Sequence, residues 1–209
     1  MSRDVEFVVR TIADTCIENE KYFGELDSVV GDGDFGYSLA RGFENVETQW
    51  DTFDRTDVGT FLQKVAITMS GRIGGTSGPI WGTAVLRAST VAKGKDELTG
   101  ADVVAMLRSA IEGIQKRGGA ELGDKTLLDA LAPMTDEIEN QLAAGASAAE
   151  IAKAAATTAR EAAEATKPLV ARRGRASYTG ERSIGSVDPG AIAVAVLAES
   201  IAETVAETW

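Results

Sequence analysis

The sequence predicts an all-α protein: eight helices in an antiparallel up-and-down barrel or bundle, with a site in the loops at one end. Three observations carry this. Apolar residues recur at helical spacing along most of the 209 residues. Helix-start signals stand where the periodic segments begin. The connections between those segments are of two kinds, and the unusual ones fall on alternate connections. In an up-and-down bundle, alternate connections share an end.

The first helix is expected over 3–22, where Val5, Val8, Val9, Ile12 and Cys16 form one stripe. Helices over 36–52, 57–71 and 78–93 follow. Val103, Val104, Leu107, Ile111 and Ile114 define the next, over 101–117. Leu127, Leu131, Met134, Ile138 and Leu142 define one over 125–144, with Asp124 as its expected cap. The spacing Ser147-Ala-Ala-Glu150 is a capping box and opens an alanine-rich helix over 148–170. Asp188-Pro189 reads as an N-cap followed by proline at the first helical position, opening a helix over 189–207. Its start, AIAVAV, alternates like a strand, but its length and the Leu197, Ile201, Val205 spacing favour a helix. No linker or repeat divides the chain, so a single domain is expected over 1–209.

The totals exclude several chemistries. The chain has no histidine, which removes a Ser-His-Asp triad, a Cys-His pair and a His-ligated zinc. Any metal must then sit on carboxylates, which selects a hard cation such as magnesium, calcium or manganese. A net charge of −11 argues against nucleic acid or an anionic membrane as partner, despite the local basic cluster ARRGR at 171–175. No apolar run approaches the ~18 residues that span a bilayer, and the acidic amphipathic N-terminus is unlike a signal peptide. A soluble, cytoplasmic protein is the expectation. Cys16, the one cysteine, lies on an apolar stripe and is expected to be packing.

Four connections are rich in glycine and polar groups. The first, LDSVVGDGDFG, contains G-x-G-x-x-G at Gly31, Gly33 and Gly36, but no βαβ pattern surrounds it, and Asp32 and Asp34 would repel a pyrophosphate. An EF-hand starting at Asp32 fails because Gly36, Tyr37 and Phe43 stand where a ligand, a glycine and a glutamate belong. What remains is three carboxylates, Asp27, Asp32 and Asp34, close together on a tight turn. Such like charges invite a cation, and magnesium accepts carboxylates and phosphate oxygens together; a solvated acidic turn is the bland alternative. The second, GRIGGTSGP, offers Thr76, Ser77 and a helix N-terminus, an anion site or simply a close helix crossing or cap. The third, GGAELGDKT, is a capped turn or part of a site. The fourth, from Arg172 to Gly190, is too long and polar for a plain connector. Its Arg172, Arg173, Arg175 and Arg182 suit phosphates or an interaction surface.

The fragments LDSVVGDGDFG, GGTSGPIWG, GDKTLLD and GRASYTGERSIGSVDPGA, in this order and spacing, resemble the L subunit of dihydroxyacetone kinase, the DhaL or nucleotide-binding domain of the Dak family. The resemblance covers nearly the whole chain. It implies an eight-helix barrel with ADP or ATP at one end. Asp27, Asp32 and Asp34 would hold two Mg2+ ions bridging to the phosphates, and Phe35, Gly36, Tyr37 and Ser38 would lie at the phosphates. Thr76 and Ser77 would contact the β-phosphate, and Gly119 and Leu127 would border the adenine. Arg175 and the Asp188, Pro189, Gly190 turn would close over the nucleotide, with Asp27, Asp32, Asp34 and Arg175 as the catalytic set. The chain departs from many relatives at Phe35 (histidine there), Ser38 (asparagine), Tyr37 (a smaller residue), Leu127 (methionine) and Arg72, an added charge.

Because the family binds its sugar covalently on a histidine of a separate K subunit, this histidine-free chain is expected to supply only the phosphoryl donor. The leading expectation is a phosphotransferase subunit acting on dihydroxyacetone or a similar small ketose held by the K subunit. ADP would stay bound and be rephosphorylated by a phosphoenolpyruvate-dependent phosphotransferase protein. The alternatives are an ATP-exchanging sugar kinase subunit and a nucleotide-sensing module that binds a transcription factor.

Overall fold

The computed structural model describes residues 3–208. Among them no strand forms, and the chain makes α1 (Arg3–Glu18), α2 (Glu20–Asp27), α3 (Phe35–Gln49), α4 (Val58–Ser70), α5 (Ser77–Val91), α6 (Gly100–Gly118), α7 (Leu128–Ala143), α8 (Ala148–Glu164) and α9 (Pro189–Thr208). Short 3-10 turns cover Trp50–Thr52 and Arg175–Ser183.

Where the boundaries differ from expectation, a local competitor for a backbone group is the cause. The helix expected over 3–22 breaks at Asn19, whose side-chain amide donates to the Thr15 carbonyl at 2.9 Å while its own N–H reaches the same oxygen at 3.1 Å. The chain resumes as α2 and runs to Asp27, so part of the expected loop is helical. The helix expected from 125 begins at Leu128, because Lys125 is left-handed at φ 62 and cannot start it. Asp124 is therefore not its cap: it accepts from the Glu121 N–H at 3.0 Å instead, and Asp129 accepts from Thr126 N–H at 2.8 Å. The helix expected to 170 stops at Glu164, ahead of Pro168, which has no N–H to donate.

The other start signals hold. Ser147 and Glu150 form both halves of the capping box. Asp188 accepts from the Ala191 N–H at 2.8 Å with Pro189 as the first residue of α9. Thr99 and Asp102 make a second capping box at the start of α6.

The helices pack as a closed ring. Each of α3 to α8 lies against its successor, α1 lies against α3, and α9 returns to α1; α2 sits across one end, against α3 and α9. This is the expected eight-helix barrel with α2 added. The interior has two joined regions. Around α1, α3 and α4 it is aromatic, with Trp50, Phe53 and Phe61 at 5.4–6.2 Å between ring centres. Around α7, α8 and α9 it is mostly small: Ala155, Ala156, Ala159, Ala163, Ala191 and Ala195 are buried and let α8 and α9 approach closely. Cys16 is fully buried, in keeping with packing.

By length and composition, Pro189–Glu207 would suffice to cross a membrane, which corrects the expectation that no run comes near that length. In this fold it needs few polar residues because it packs on α8, α1, α7 and α2. Its Glu199 takes a two-pronged bond from Arg160 at 2.6–2.7 Å.

Ring closure sorts the connections. At one end the start of α4 binds the α5–α6 connection, Val58 N–H to Lys95 O at 2.8 Å and Gly59 N–H to Ala92 O at 3.2 Å. The four glycine-rich connections gather at the other.

Candidate functional site

The acidic connection is built by the two helices it joins. Asp27 ends α2, and Asp34 is the residue before α3. The tight return between them is held by Gly31 N–H to Asp27 O at 2.6 Å and Phe35 N–H to Asp27 Oδ2 at 3.3 Å. Oxygens of Asp27, Asp32 and Asp34 consequently lie within 4.8 Å of one another. Burial pushes the Asp27 carboxyl up from its usual range, and the Asp32 and Asp34 charges add to this against two backbone N–H groups. Burial also acts upward on Asp32, but Arg175, by hydrogen bond and charge, outweighs it and holds that carboxyl low. The Arg175 guanidinium is hydrogen-bonded to Asp32 and reaches Asp34 at 3.1 Å. Clustered oxygen donors with a surplus of negative charge fit a hard divalent cation such as magnesium.

The second connection faces the first. α5 begins at Ser77 with no side chain capping it; its Gly78 N–H turns back to the Gly74 carbonyl at 3.4 Å and Pro79 has no N–H, so the Thr76 and Ser77 hydroxyls are the groups this helix end presents to the site. Gly75 adopts φ +63, and a Cβ there would stand 3.0 Å from the Arg175 guanidinium. Glycine satisfies both the turn and the close approach.

The third and fourth connections make the opposite wall. Leu127 packs over Gly190, where an added Cβ would lie 3.3 Å from the Leu127 Cβ. Arg173 pairs with Asp124 at 3.2 Å, and Arg172 N–H reaches Asp124 O at 3.0 Å, tying the two connections together. Asp188, besides capping α9, has its carboxyl pushed up to about 7, chiefly by desolvation, against the Ala191 N–H and the Lys125 charge.

These parts surround one cavity of about 510 Å³, within the range of small-ligand sites. Asp27, Asp32, Asp34, Phe35, Thr76, Ser77, Leu127, Arg175, Asp188, Pro189 and Gly190 all line it. Gly36, Tyr37, Ser38 and Gly119 do not. Gly36 lies where α3 crosses α2, and a Cβ would collide with the Glu20 carbonyl. Tyr37 is exposed, with Arg41 5.0 Å from its ring. Ser38 is buried beneath Gly74, and Gly119 is the left-handed residue that ends α6. Phe35 stacks between Phe23 and Trp81, at 6.0 and 6.4 Å between ring centres, and so joins the cavity floor to the core.

Trp81, Arg117 and Lys125 also line the cavity and were not singled out from the sequence. Trp81 lies one turn into α5, where helical spacing could have shown it. Lys125 binds carbonyls 44 to 61 residues away, a relation with no local signal.

Comparison with known proteins agrees in extent. The DAK2 domain model matches residues 29–203. The "PEP-dependent dihydroxyacetone kinase, ADP-binding subunit DhaL" of Escherichia coli is 36% identical over 182 residues, covering 87% of each chain. The L-erythrulose 1-kinase of Mycolicibacterium smegmatis is 36% identical over 207 residues, covering 97% of this chain and 35% of that one. The crystal structure of the dihydroxyacetone kinase from C. freundii in complex with AMP-PNP and Mg2+ superposes with a TM-score of 0.78 at 24% identity, covering 98% of this chain and 34% of that one. This chain thus spans about a third of those longer kinases. At that identity the superposition speaks for the fold, and the sequence matches carry the assignment: the chain belongs to the DAK2 domain family.

Proposed function

We propose that the whole chain works as one nucleotide-binding domain, the cytoplasmic ADP-binding subunit of a dihydroxyacetone-type kinase. It would hold ADP or ATP with two magnesium ions and deliver a phosphoryl group to dihydroxyacetone or a similar ketose on a separate K subunit. The observation that carries this is the meeting of Asp27, Asp32 and Asp34 with the open N-terminus of α5 and with Arg175 around one cavity. The subunit relatives at 36% identity support it further.

Phosphoryl transfer asks a protein mainly for positioning and charge compensation. Asp27, Asp32 and Asp34 would hold the magnesium, which when bound neutralises phosphate charge. Thr76, Ser77 and the positive end of the α5 dipole would orient the phosphates, since a helix N-terminus favours an anion. Leu127, Pro189 and Gly190 form an apolar wall suited to the base. Arg175 would neutralise developing charge from the outer side. The histidine expected to hold the ketose would belong to the partner, since this chain has none.

The subunit relatives, named PEP-dependent and ADP-binding, support a regime in which ADP stays resident and is rephosphorylated in place by a phosphoenolpyruvate-dependent phosphotransferase protein. The test is to denature freshly purified protein and quantify released nucleotide by chromatography. Near-stoichiometric ADP is expected. A site empty of nucleotide that also fails to take up ADP with magnesium overturns the proposal; one that is empty but binds ATP and releases ADP replaces the resident cofactor by exchange.

A further inference from the structure

Lys125 plays no part in the proposed reaction, yet a strained backbone and a buried charge meet at it. It is the one non-glycine residue with positive φ among the described residues. Although a lysine, it is only 2% exposed, a burial this residue type tolerates only when its charge is satisfied. The satisfaction is complete. Its Nζ donates to the carbonyl oxygens of Leu169 at 3.1 Å, Ser183 at 2.5 Å and Ser186 at 2.6 Å, one for each of its three N–H groups. Asp188 adds an opposite charge nearby, against the desolvation that pulls the ammonium below its ordinary range.

All three acceptors belong to one segment, the α8–α9 connection, while Lys125 belongs to the α6–α7 connection. Leu169 is on the incoming limb of that segment, and Ser183 and Ser186 are on the outgoing limb. Between the limbs lies Arg175, which reaches Asp32 and Asp34. The limbs are also cross-tied by Ala171 N–H to Ser183 Oγ at 2.9 Å and Gly185 N–H to Lys167 O at 2.8 Å. Those ties lie within the segment. Lys125 anchors both limbs to another part of the ring.

We propose that Lys125 is the positioning residue of the arginine segment: through the carbonyls of Leu169, Ser183 and Ser186, its ammonium clamps both limbs and so places Arg175 over the Asp32–Asp34 pair. Its consequence for nucleotide rests on the function proposed above; the clamp itself does not. An apolar side chain would take this donor from the Leu169 and Ser186 carbonyls and leave Ser183 O with the Ser186 hydroxyl alone, at 2.9 Å. An arginine's planar fork cannot aim three N–H groups at converging acceptors.

The deciding variant is Lys125→Gly, which keeps the left-handed backbone without a side-chain penalty and removes the ammonium. Two quantities are measured: amide hydrogen exchange over residues 165–188 without nucleotide, and calorimetric titration with ADP and magnesium. Exchange across 170–186 should rise ~10-fold or more while the ring helices keep their protection. ADP affinity should fall roughly 10-fold or more, and adding Arg175→Ala should cost little beyond either single change, as expected for residues acting as one unit. Unchanged exchange, or faster exchange with ADP affinity kept, would overturn the proposal. If Lys125→Gly does not fold, Lys125→Met, which retains the stem, takes its place; failure of both makes Lys125 a fold residue and also overturns it. Should the parent protein bind no ADP, the function reading falls, and the exchange data alone then decide the clamp.

Discussion

Asp34 closes the acidic turn at the mouth of the cavity, and its carboxylate supports no core packing. Asp34→Asn should therefore weaken magnesium-dependent ADP binding by ~100-fold or more, since it removes a ligand charge from a hard-cation site. Its circular dichroism and unfolding midpoint should match the parent. Retained affinity in titration would refute the assignment of the triad. Asp188 gives a prediction of another kind. Its carboxyl titrates near 7 when folded and near 3.8 when unfolded. Between those values the folded state binds more protons, so this group's contribution is full below about 4 and is lost as pH rises toward 7. The loss is roughly 1.4 kcal/mol per pH unit across that window. In Asp188→Asn, urea titrations at several pH values should show this component gone; an identical pH profile would mean that the carboxyl is not desolvated as described.

At the scale of the element, the capping box at α8 and the crossing of α2 with α3 are the sharpest cases. Ser147 Oγ accepts from the Glu150 N–H at 3.4 Å, and Glu150 Oε2 accepts from the Ser147 N–H at 2.8 Å. Ser147→Ala should cost about 1 kcal/mol by chemical denaturation and leave ADP binding untouched, since α8 begins at the end of the ring away from the site. Gly36 behaves differently. An alanine there would press on the backbone of Glu20 and Gly24. Gly36→Ala should destabilise by about 1–3 kcal/mol through overpacking. It should also weaken ADP binding, because the same crossing sets Asp27 opposite Asp34. Affinity preserved in a folded Gly36→Ala protein would show that the triad tolerates movement of α2. These elements also show what was legible in advance. Both halves of the Ser147 box and the Asp188-Pro189 start are short-range patterns, and they stand where they were expected. The break at Asn19 and the late start of α7 depend on which carbonyl a side chain wins, and periodicity carries no such information.

Across the molecule, most of the core lies away from the site, and Phe35, Ile114 and Ala120 are core residues that also line the cavity. The large buried side chains, among them Phe61, Leu39 and Met69, lie in the barrel interior. Stripping magnesium with a chelator should therefore abolish nucleotide binding without unfolding the protein. With ADP at ~100 times its Kd and magnesium present, stability should rise by about 2.7 kcal/mol, or roughly 5–10 °C in Tm for a chain of this size. A Tm indifferent to the pair would count against a nucleotide site. Four sequence-distant connections meet at one end because an up-and-down ring brings alternate connections together, and α2, lying across that end, does not alter the alternation.

The all-α class, most helix starts, the gathering of four connections at one end and the three aspartates are legible in the order of residues. Helical period, caps and turn residues are local, and they are written in neighbouring letters. It took the folded chain to show that Gly36, Tyr37, Ser38 and Gly119 stand off the cavity, that Trp81 and Arg117 line it, and that Lys125 bonds the carbonyls of Leu169, Ser183 and Ser186. Those outcomes depend on crossing helices and on main-chain carbonyls far along the chain. A backbone oxygen has no letter of its own, so its partner becomes known only when the chain has folded back upon it.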